Sequence, residues 1–554
     1  MLSIAQQSIV APSAHQLGAA SHLPADSFPD EVSLSEAGNA FTVPQIPALV
    51  PLDFRWHPSP ADSSIIQRKA NGVENLVGIK DANAKGAYDF YNHIVLRIGD
   101  VSRLTLSNIK SAFMRAMLDA RFENPSIACY GVWGQNESPY LPHIQYKSFR
   151  SHNEARAWAN DRICIRATTL TGEELRIERN KRRAAATPKS ANSLDVIISA
   201  DVHSEKAIIT PGTKVEVVCL FNHLIWDGKG RQFASELVQR ASKILDNKEE
   251  NKMPAHRWGE EKARLDPPIL DVLQVGLENL GPDYEALQQR LLSSQLRVGL
   301  SWGLQITKNQ GVSCEIRRSF SLDQSKKIIK TVRDRLGPAY NAGHLGHAAL
   351  VLAMLKHNPI TASDQSTACL YSPLPVDGRL YLQEDRTTQR YGNVQAGAVV
   401  DFPRLASWAV NEKDPNGVKV ALQNLAMHIK KSYDYWLGQS DYLLPMGVNY
   451  HNYISNFVAS SDTIPDIYAP PFCNDGRAES IIPYEVYGPS GTKLFEVEDC
   501  YGGVQIISFN ALLRMDSWKG TMRLAFLYND GHFSDEQAQL FLADVIHYMV
   551  EFIE

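Results

Sequence analysis

The sequence predicts an α/β (α+β) protein built from two domains of similar size, and three observations support this. First, the chain has 554 residues, whereas a single hydrophobic core rarely grows beyond about 250–300 residues. Second, strand-like runs followed by helical runs recur in both halves of the chain. Third, a polar stretch with three prolines, at residues 246–268, separates the two series.

The first half of the chain contains two strand-to-helix transitions. Residues 1–45 are rich in Ala, Ser, Pro and Asp and predict a flexible N-terminal arm. Residues 91–98 read as a strand, and apolar residues at helical spacing follow at 104–118. Residues 215–221 form a β-branched, apolar strand, and 232–245 predict an amphipathic helix.

The second half repeats this pattern. A strand at 313–320 precedes a helix at 322–336, and the apolar run at 345–355 predicts a helix buried on all sides. Alternating residues at 503–510 and 521–528 predict two half-buried strands. A last helix begins after Ser534, whose hydroxyl is a good N-terminal cap.

These elements predict a division into four segments. The arm of 1–45 precedes an N-terminal domain at 46–245, a crossover at 246–310 and a C-terminal domain at 311–554. A cleft between the two domains is the natural place for a ligand.

Composition narrows the classes of function. The net charge of −5 and the pI of about 6.4 give no electrostatic reason to bind nucleic acid. The most basic stretch, 176–183, reads as a solvated loop, with a landing place for nucleotide phosphates as the sharper alternative. Seven scattered cysteines and the lack of a secretory signal predict a cytoplasmic protein. The sequence has no run of about 18 apolar residues, so no membrane span is expected. A monomer is also expected.

The chemistry is expected at the end of the 215–221 strand. His223 lies where the chain turns before the next helix, with a pKa suited to accepting a proton near neutrality. Asp227 is placed to orient the ring or the loop, and Gly228 and Gly230 are expected to let the backbone turn sharply. A buried structural histidine is the alternative interpretation of His223.

Downstream segments strengthen the first interpretation. The His-x-x-x-Asp-Gly pattern of 223–228, the Val-Asp-Gly-Arg and Arg-Tyr-Gly-Asn segments of 376–379 and 390–393, and the Asp-Cys-Tyr-Gly-Gly segment of 499–503 occur in this order. Together they resemble the signatures of the chloramphenicol-acetyltransferase-like superfamily, which includes BAHD acyltransferases and condensation domains. The extended N-terminus and the altered last segment are most similar to fungal secondary-metabolite O-acetyltransferases, such as the trichothecene 15-O-acetyltransferases.

The resemblance implies two similar domains, each a mixed sheet with flanking helices, around a central tunnel. His223 would be the general base, Asp227 would be structural and paired with Arg379, and Gly228 would complete the motif. Ser508 is the candidate donor to the oxyanion. An acyl-CoA, expected to be acetyl-CoA, would be the co-substrate of a small-molecule alcohol, with no permanently bound cofactor.

Alternatives remain open at this point. The acyl donor could instead be bound to a carrier protein, as in a condensation-like enzyme. The cleft could also serve a non-acyl cyclase, or a binding protein without activity. His344 and His347, three apart on a helix, suggest a metal, but no third ligand is evident, so we expect core histidines and no metal.

Overall fold

The computed structural model describes most of the chain from residue 54 to the C-terminus. The described residues are 54–74, 89–100, 103–132, 142–185, 190–247, 256–296, 302–383, 391–448, 466–506 and 511–554. The predicted arm at 1–45 lies outside these ranges.

The strands of the described residues form five sheets. In chain order they are β1 (His57–Pro58), β2 (Ile65–Lys69), β3 (Phe90–Ile98), β4 (Tyr130–Val132), β5 (His143–Lys147), β6 (Ile163–Ala167), β7 (Ser190–Ala191), β8 (Leu194–Ala200), β9 (Lys214–Phe221), β10 (Leu304–Gln305), β11 (Ser313–Ser319), β12 (Leu370–Asp377), β13 (Gln395–Phe402), β14 (Ile467–Tyr468), β15 (Phe472–Arg477), β16 (Glu485–Tyr487), β17 (Lys493–Val504), β18 (Leu512–Trp518) and β19 (Thr521–Asn529).

The helices flank these strands. They are α1 (Leu106–Glu123), α2 (His152–Arg162), α3 (Gly172–Ala185), α4 (Gly230–Asp246), α5 (Gly281–Leu296), α6 (Leu322–Leu336), α7 (Ala342–His357), α8 (Pro415–Leu437) and α9 (Asp535–Glu551). Within the described ranges, no helix is both long and apolar enough to cross a membrane.

A six-stranded mixed sheet holds the strand that leads to His223. Its order is β16-β17-β3-β9-β8-β6, antiparallel except for the parallel pair β6–β8. In β9, every residue after Lys214 is buried. The strand is central and covered on both faces, which explains why it is apolar except for Lys214 and the buried Glu216.

A four-stranded mixed sheet forms the core of the second half. Its order is β11-β19-β18-β15, and β15–β18 is its parallel pair. Helix α7 is buried from Ala342 to Leu355, as its apolar sequence predicts. With mixed sheets and flanking helices in both halves, the predicted α/β (α+β) class is confirmed.

The described residues contain two large hydrophobic cores, one for each half of the chain. Residues from the second half nevertheless belong to the core of the first half. The core around α1, β9 and α4 also contains Leu494, Phe495 and Val497 of β17, which come from the C-terminal segment. The C-terminal segment therefore completes the N-terminal sheet. The division into segments at 46–245 and 311–554 stays a prediction.

Two local predictions were wrong. The basic stretch at 176–183 belongs to helix α3 rather than to a solvated loop, and Arg176 in it is buried with its guanidinium over the Tyr91 ring. The strand expected at 503–510 is wrong in its described part, since β17 spans Lys493–Val504 and ends there, while residues 507–510 lie outside the described residues. In both places, tertiary contacts outweigh the local pattern of charge or alternation.

Other boundaries follow the caps that the sequence contains. Helix α6 spans 322–336 as predicted, and Ser321 and Gln324 form a reciprocal capping box at its start. The Ser534 side chain accepts a hydrogen bond from the Gln537 backbone N–H at 3.0 Å and caps α9.

Candidate active site

His223 stands just beyond the end of β9, in a tight turn. The Asn222 N–H donates to the Ser193 carbonyl at 2.9 Å and continues the pairing with the neighbouring strand. The Trp226 N–H then donates to the Asn222 carbonyl at 3.0 Å, which closes the turn. The His223 imidazole therefore lies on a turn that is hydrogen-bonded to the six-stranded sheet.

The hydrogen bond of the ring determines which nitrogen can act as a base. His223 Nδ1 lies 2.8 Å from the Trp226 carbonyl oxygen. A carbonyl only accepts, so Nδ1 carries the proton and the lone pair of the neutral ring is on Nε2. The Phe90 ring packs edge-on against the imidazole, with centroids 5.2 Å apart, and fixes its orientation.

The surroundings of His223 keep the imidazole neutral. Burial lowers the pKa of His223, and the positive charge of Arg514 lowers it further. The hydrogen bond to the Trp226 carbonyl and the charge of Asp227 oppose this, but the net direction is downward. At neutral pH the ring is therefore ready to accept a proton.

Asp227 is a buried structural carboxylate. It faces Arg379 in a bidentate pair, with Arg379 Nη1 2.7 Å from Oδ2 and Nη2 3.1 Å from Oδ1. The backbone N–H groups of Val394 and Lys229 donate to the same carboxylate at 2.9 and 3.0 Å. With its side chain 6% exposed and both oxygens accepting hydrogen bonds, Asp227 ties the loop to Arg379 and to the backbone of Val394.

The segment after residue 390 clamps the His223 loop from the other half of the chain. Asn393 Nδ2 donates to the His223 carbonyl at 3.0 Å. Trp226 and Gly392 form an isolated antiparallel bridge, and Arg379 Nη2 donates to the Gly392 carbonyl at 2.7 Å. Backbone and side chains of both halves therefore determine where His223 lies.

Trp226 fills the space under the loop. Its side chain is fully buried, its Nε1 donates to Ser193 Oγ at 2.6 Å, and its ring packs against Phe233 and Tyr391. Trp226 and Asn393 thus hold the loop against the core.

The two glycines of the motif do not have the expected role. The chain does turn at residues 228–229, but neither Gly228 nor Gly230 adopts a positive φ, so the turn does not depend on the conformational freedom of glycine. A Cβ on Gly228 would meet nothing within 4 Å. A Cβ on Gly230 would lie 2.6 Å from the Phe90 ring, so Gly230 is needed for the close approach of that ring.

The Asp-Cys-Tyr-Gly-Gly segment at 499–503 lies within β17 and ties this strand to β19. Arg523 Nη1 donates to Asp499 Oδ1 at 2.6 Å, and Arg523 Nη2 donates to the Cys500 carbonyl at 2.7 Å. Ser508, the candidate oxyanion donor, lies outside the described residues.

His344 and His347 are core histidines. His347 Nε2 lies 2.8 Å from Ser372 Oγ and Nδ1 lies 3.1 Å from the Tyr433 hydroxyl. Burial lowers the pKa of His344 to about 4 and that of His347 to about 3, which keeps both rings neutral. No group of three metal-ligating side chains occurs among the described residues.

Sequence reasoning missed three residues around His223. They are Phe90, which lies against the ring, Val394, whose N–H holds Asp227, and Arg514, whose charge acts on the imidazole. Phe90 and Arg514 belong to strands far from the motif in sequence, and Val394 contributes only its backbone. Nothing in the residue type of these positions signals the contact.

Comparison with known proteins identifies the family. The family described as 15-O-acetyltransferase Tri3 matches residues 46–455. SAT12 of Stachybotrys chartarum, named as a 15-O-acetyltransferase, is 56% identical, with 92% of each chain covered. The solved structure of the TRI3 trichothecene 15-O-acetyltransferase from Fusarium sporotrichioides is 30% identical, with a TM-score of 0.85 over 92% of this chain and 99% of that one.

A more distant likeness concerns the fold alone. The first condensation domain of the calcium-dependent antibiotic synthetase is 10% identical, with a TM-score of 0.54 over 90% of this chain and 96% of that one. This agrees with the fold that the motifs indicated. The chain therefore belongs to the 15-O-acetyltransferase Tri3 family and is an acyltransferase that transfers an acetyl group to a hydroxyl.

Proposed function

We propose that the chain transfers the acetyl group of acetyl-CoA to a hydroxyl of a trichothecene, with His223 as the general base. The observation that carries the proposal is the hydrogen bond from His223 Nδ1 to the Trp226 carbonyl at 2.8 Å. It leaves Nε2 as the basic nitrogen of a half-buried, neutral ring. The names of SAT12 and TRI3 support the acetyl donor and the class of acceptor.

The reaction needs one base and no covalent enzyme intermediate. His223 Nε2 removes the proton of the acceptor hydroxyl while the hydroxyl oxygen forms a bond to the thioester carbonyl carbon. The π pair of the carbonyl moves onto its oxygen, and its return breaks the C–S bond. The departing thiolate takes the proton from Nε2. General base catalysis of this kind contributes roughly 10²–10⁴-fold.

The described cysteines support a reducing compartment such as the cytoplasm. The seven thiols are not cross-linked to one another, and four of them are buried. Burial raises the pKa of the Cys219 and Cys473 thiols to about 12, so these thiols are poor nucleophiles.

The experiment is an acetyl-transfer assay with purified protein. Acetyl-CoA and a trichothecene with a free 15-hydroxyl are supplied, and thiol release and the mass of the product are followed. We expect acetylation by the wild-type chain and a loss of roughly 10²–10⁴-fold in His223→Ala. His203→Ala, which removes an exposed histidine, is the matched control and should keep full activity.

Each alternative has its own outcome. Full turnover by a folded His223→Ala variant would contradict the role given to His223. Product formed without any thioester would favour a cyclase. Transfer only from an acyl group bound to a carrier protein would favour a condensation-like enzyme, for which the comparisons give no support.

A further inference from the structure

A cavity of about 240 Å³ lies on the face of the six-stranded sheet that helix α3 covers. Its lining includes Arg162 at the end of α2, Cys164 and Arg166 of β6, and Arg179 and Arg182 of α3. One water occupies roughly 30 Å³ in the liquid, so this arginine cavity has room for a phosphate group and several waters.

The spacing of the lining residues brings their side chains together. Cys164 and Arg166 are two residues apart on β6 and therefore project from the same face of the strand. Arg179 and Arg182 are three residues apart on α3 and share one face of the helix. Strand β6 is the last in the order of its sheet, and Cys164 is exposed, so solvent reaches the cavity from this edge.

A carboxylate on the neighbouring strand fixes two of the arginines. Arg162 Nη1 donates to Asp195 Oδ1 at 2.9 Å, and Arg179 Nη2 contacts the other oxygen of Asp195. The Arg162 side chain is 9% exposed and also contacts Asp161. Because these two guanidinium groups are already held in place, an anion that binds them orders few additional bonds.

The acidic residues do not neutralise the cavity. Its lining has four arginines, but its only carboxylates are those of Asp161 and Asp195. Arg182 contacts Glu178 outside the lining at 2.6 Å, which still leaves one positive charge in excess. Arg166 makes no hydrogen bond or ion pair with any residue that the structure describes. Since the whole chain carries a net charge of −5, this positive excess is local.

Phosphate is the anion that suits such a cavity. Guanidinium groups bind phosphate oxygens through paired N–H donors, and a cleft lined by one sign of charge concentrates the opposite ion. The basic stretch of α3 therefore regains the phosphate interpretation that its sequence allowed.

The cavity is built on the strand beside the one that ends at the base. Asp195 of β8 is the register partner of Leu220 on β9. Just before it, the Ser193 carbonyl accepts from the Asn222 N–H at 2.9 Å, directly before His223. Acetyl-CoA carries a diphosphate and a 3′-phosphate at the end of its pantetheine arm remote from the thioester, so its phosphates must be held away from the base.

We propose that the arginine cavity is a phosphate-binding site, in which Arg162 and Arg179 are preset by Asp195 and Arg166 supplies an unoccupied donor. The ligand is a compound with phosphate groups, either the nucleotide end of an acyl-CoA or a separate phosphate compound. The proposal goes beyond acetyl transfer, because binding is measured without turnover.

Cys164 supplies a readout inside the cavity. Its thiol is exposed, so its alkylation by iodoacetamide can be followed by peptide mass spectrometry. We expect pyrophosphate to slow this alkylation in a saturable way, and sodium chloride of equal ionic strength to leave it unchanged. Protection by acetyl-CoA but not by S-acetylpantetheine, which lacks the phosphates, would support the acyl donor as the source. Protection by pyrophosphate alone would support a separate phosphate compound.

Arg166→Gln tests the contribution of charge. Arg166 has no partner within the described ranges, so its replacement should leave the melting temperature unchanged. Loss of one charge-assisted contact should raise the pyrophosphate concentration for half-protection roughly 10-fold or more. Arg156→Gln removes an exposed arginine of α2 outside the lining and is the matched control, with protection like that of the wild type.

The outcomes separate this proposal from the previous one. Alkylation that pyrophosphate does not slow, equal protection by sodium chloride or S-acetylpantetheine, or equal half-protection concentrations in the wild type and Arg166→Gln would overturn the site. The site predicts that His223→Ala keeps the protection. A wild-type chain that shows the protection but releases no thiol with acetyl-CoA and a trichothecene would contradict the proposed function and support the site.

Discussion

At the scale of single residues, Asp227 is the residue whose loss should cost the most stability. Its carboxylate accepts from Arg379 twice and from two backbone N–H groups. Asp227→Ala leaves the buried Arg379 guanidinium without its bidentate partner, although Asp377 and the Gly392 carbonyl still accept from it. Breaking one side of a buried pair costs about 3–5 kcal/mol. We expect this loss in the free energy of unfolding, measured by urea titration.

Arg240→Ala is the matched control for this measurement. Arg240 also holds a carboxylate with two nitrogens, but the side chains of Arg240 and Glu123 are 32% and 52% exposed. Pairs of this kind contribute about 0–1 kcal/mol. Equal losses in the two variants would contradict a structural role for the buried pair.

The lowered pKa of His223 makes a second residue-scale prediction, for the wild-type enzyme. Only the neutral imidazole can accept the hydroxyl proton. Because burial lowers the pKa of His223, the neutral form persists below the ordinary histidine value of about 6.5. The acidic limb of kcat/KM for acetyl transfer should therefore fall below that value. A limb at or above it would show that the ring is more solvated during turnover than the structure implies.

The sequence predicts much of the site at this scale, but not all of it. His223, Asp227 and Arg379 are apparent from their motifs, and the structure brings the three together with Asn393. Arg514 could not be found in this way. It lies on β18 and pairs with Asp475 of β15, and no short-range pattern around His223 encodes its position.

At the scale of elements, Gly230 at the start of helix α4 determines how closely the Phe90 ring can lie beside the His223 imidazole. Gly230 lets the Phe90 ring approach, and Phe90 stacks on Phe221 with centroids 4.9 Å apart. In Gly230→Ala, the new methyl group must displace Phe90 and so disturb His223. Overpacking of this kind costs about 1–3 kcal/mol, and we expect kcat to fall by roughly 10-fold or more through the misplaced base.

Gly228→Ala tests whether the effect is steric. A Cβ at Gly228 would meet nothing within 4 Å, and the backbone there is not left-handed. The melting temperature of the Gly228→Ala variant should therefore match that of the wild type. If Gly230→Ala and Gly228→Ala are equally stable and Gly230→Ala keeps its kcat, the Phe90 contact does not position His223.

The elements themselves show what a local pattern can predict. Helix α6 has the predicted bounds because an N-terminal capping box and a C-terminal Gly337 mark both ends. The sequence did not predict helix α3, because its many charged residues suggested a solvent-exposed loop. In the folded chain Arg176 is held by Glu173, and Arg179 by Asp195, so the helix packs against the sheet.

At the scale of the whole molecule, the two hydrophobic cores do not correspond to two separate stretches of the sequence. Strand β17 pairs with β3 along nine residues, from Phe495–Ile98 to Val504–Phe90. It also brings Phe495 and Val497 into the core of the first half. A fragment that ends at residue 245 lacks this strand and leaves the edge of β3 unpaired.

We therefore expect a fragment of residues 1–245 to show no cooperative thermal transition by far-UV circular dichroism. Supplying residues 246–554 as a second chain should restore a cooperative transition, because β17 can then complete the sheet. A sharp transition in the isolated fragment 1–245 would show that its core is sufficient without β17.

The clamp on the His223 loop also has a consequence for the order in which the enzyme becomes active. The bonds from Arg379, Val394 and Asn393 to the loop join residues 152, 167 and 170 positions apart. Contacts of such separation form after local ones, because the entropy of closing the loop must first be overcome. During refolding, helical signal should return before acetyl transfer does. The time at which acetyl transfer recovers would then measure when the second half of the chain packs against the His223 loop.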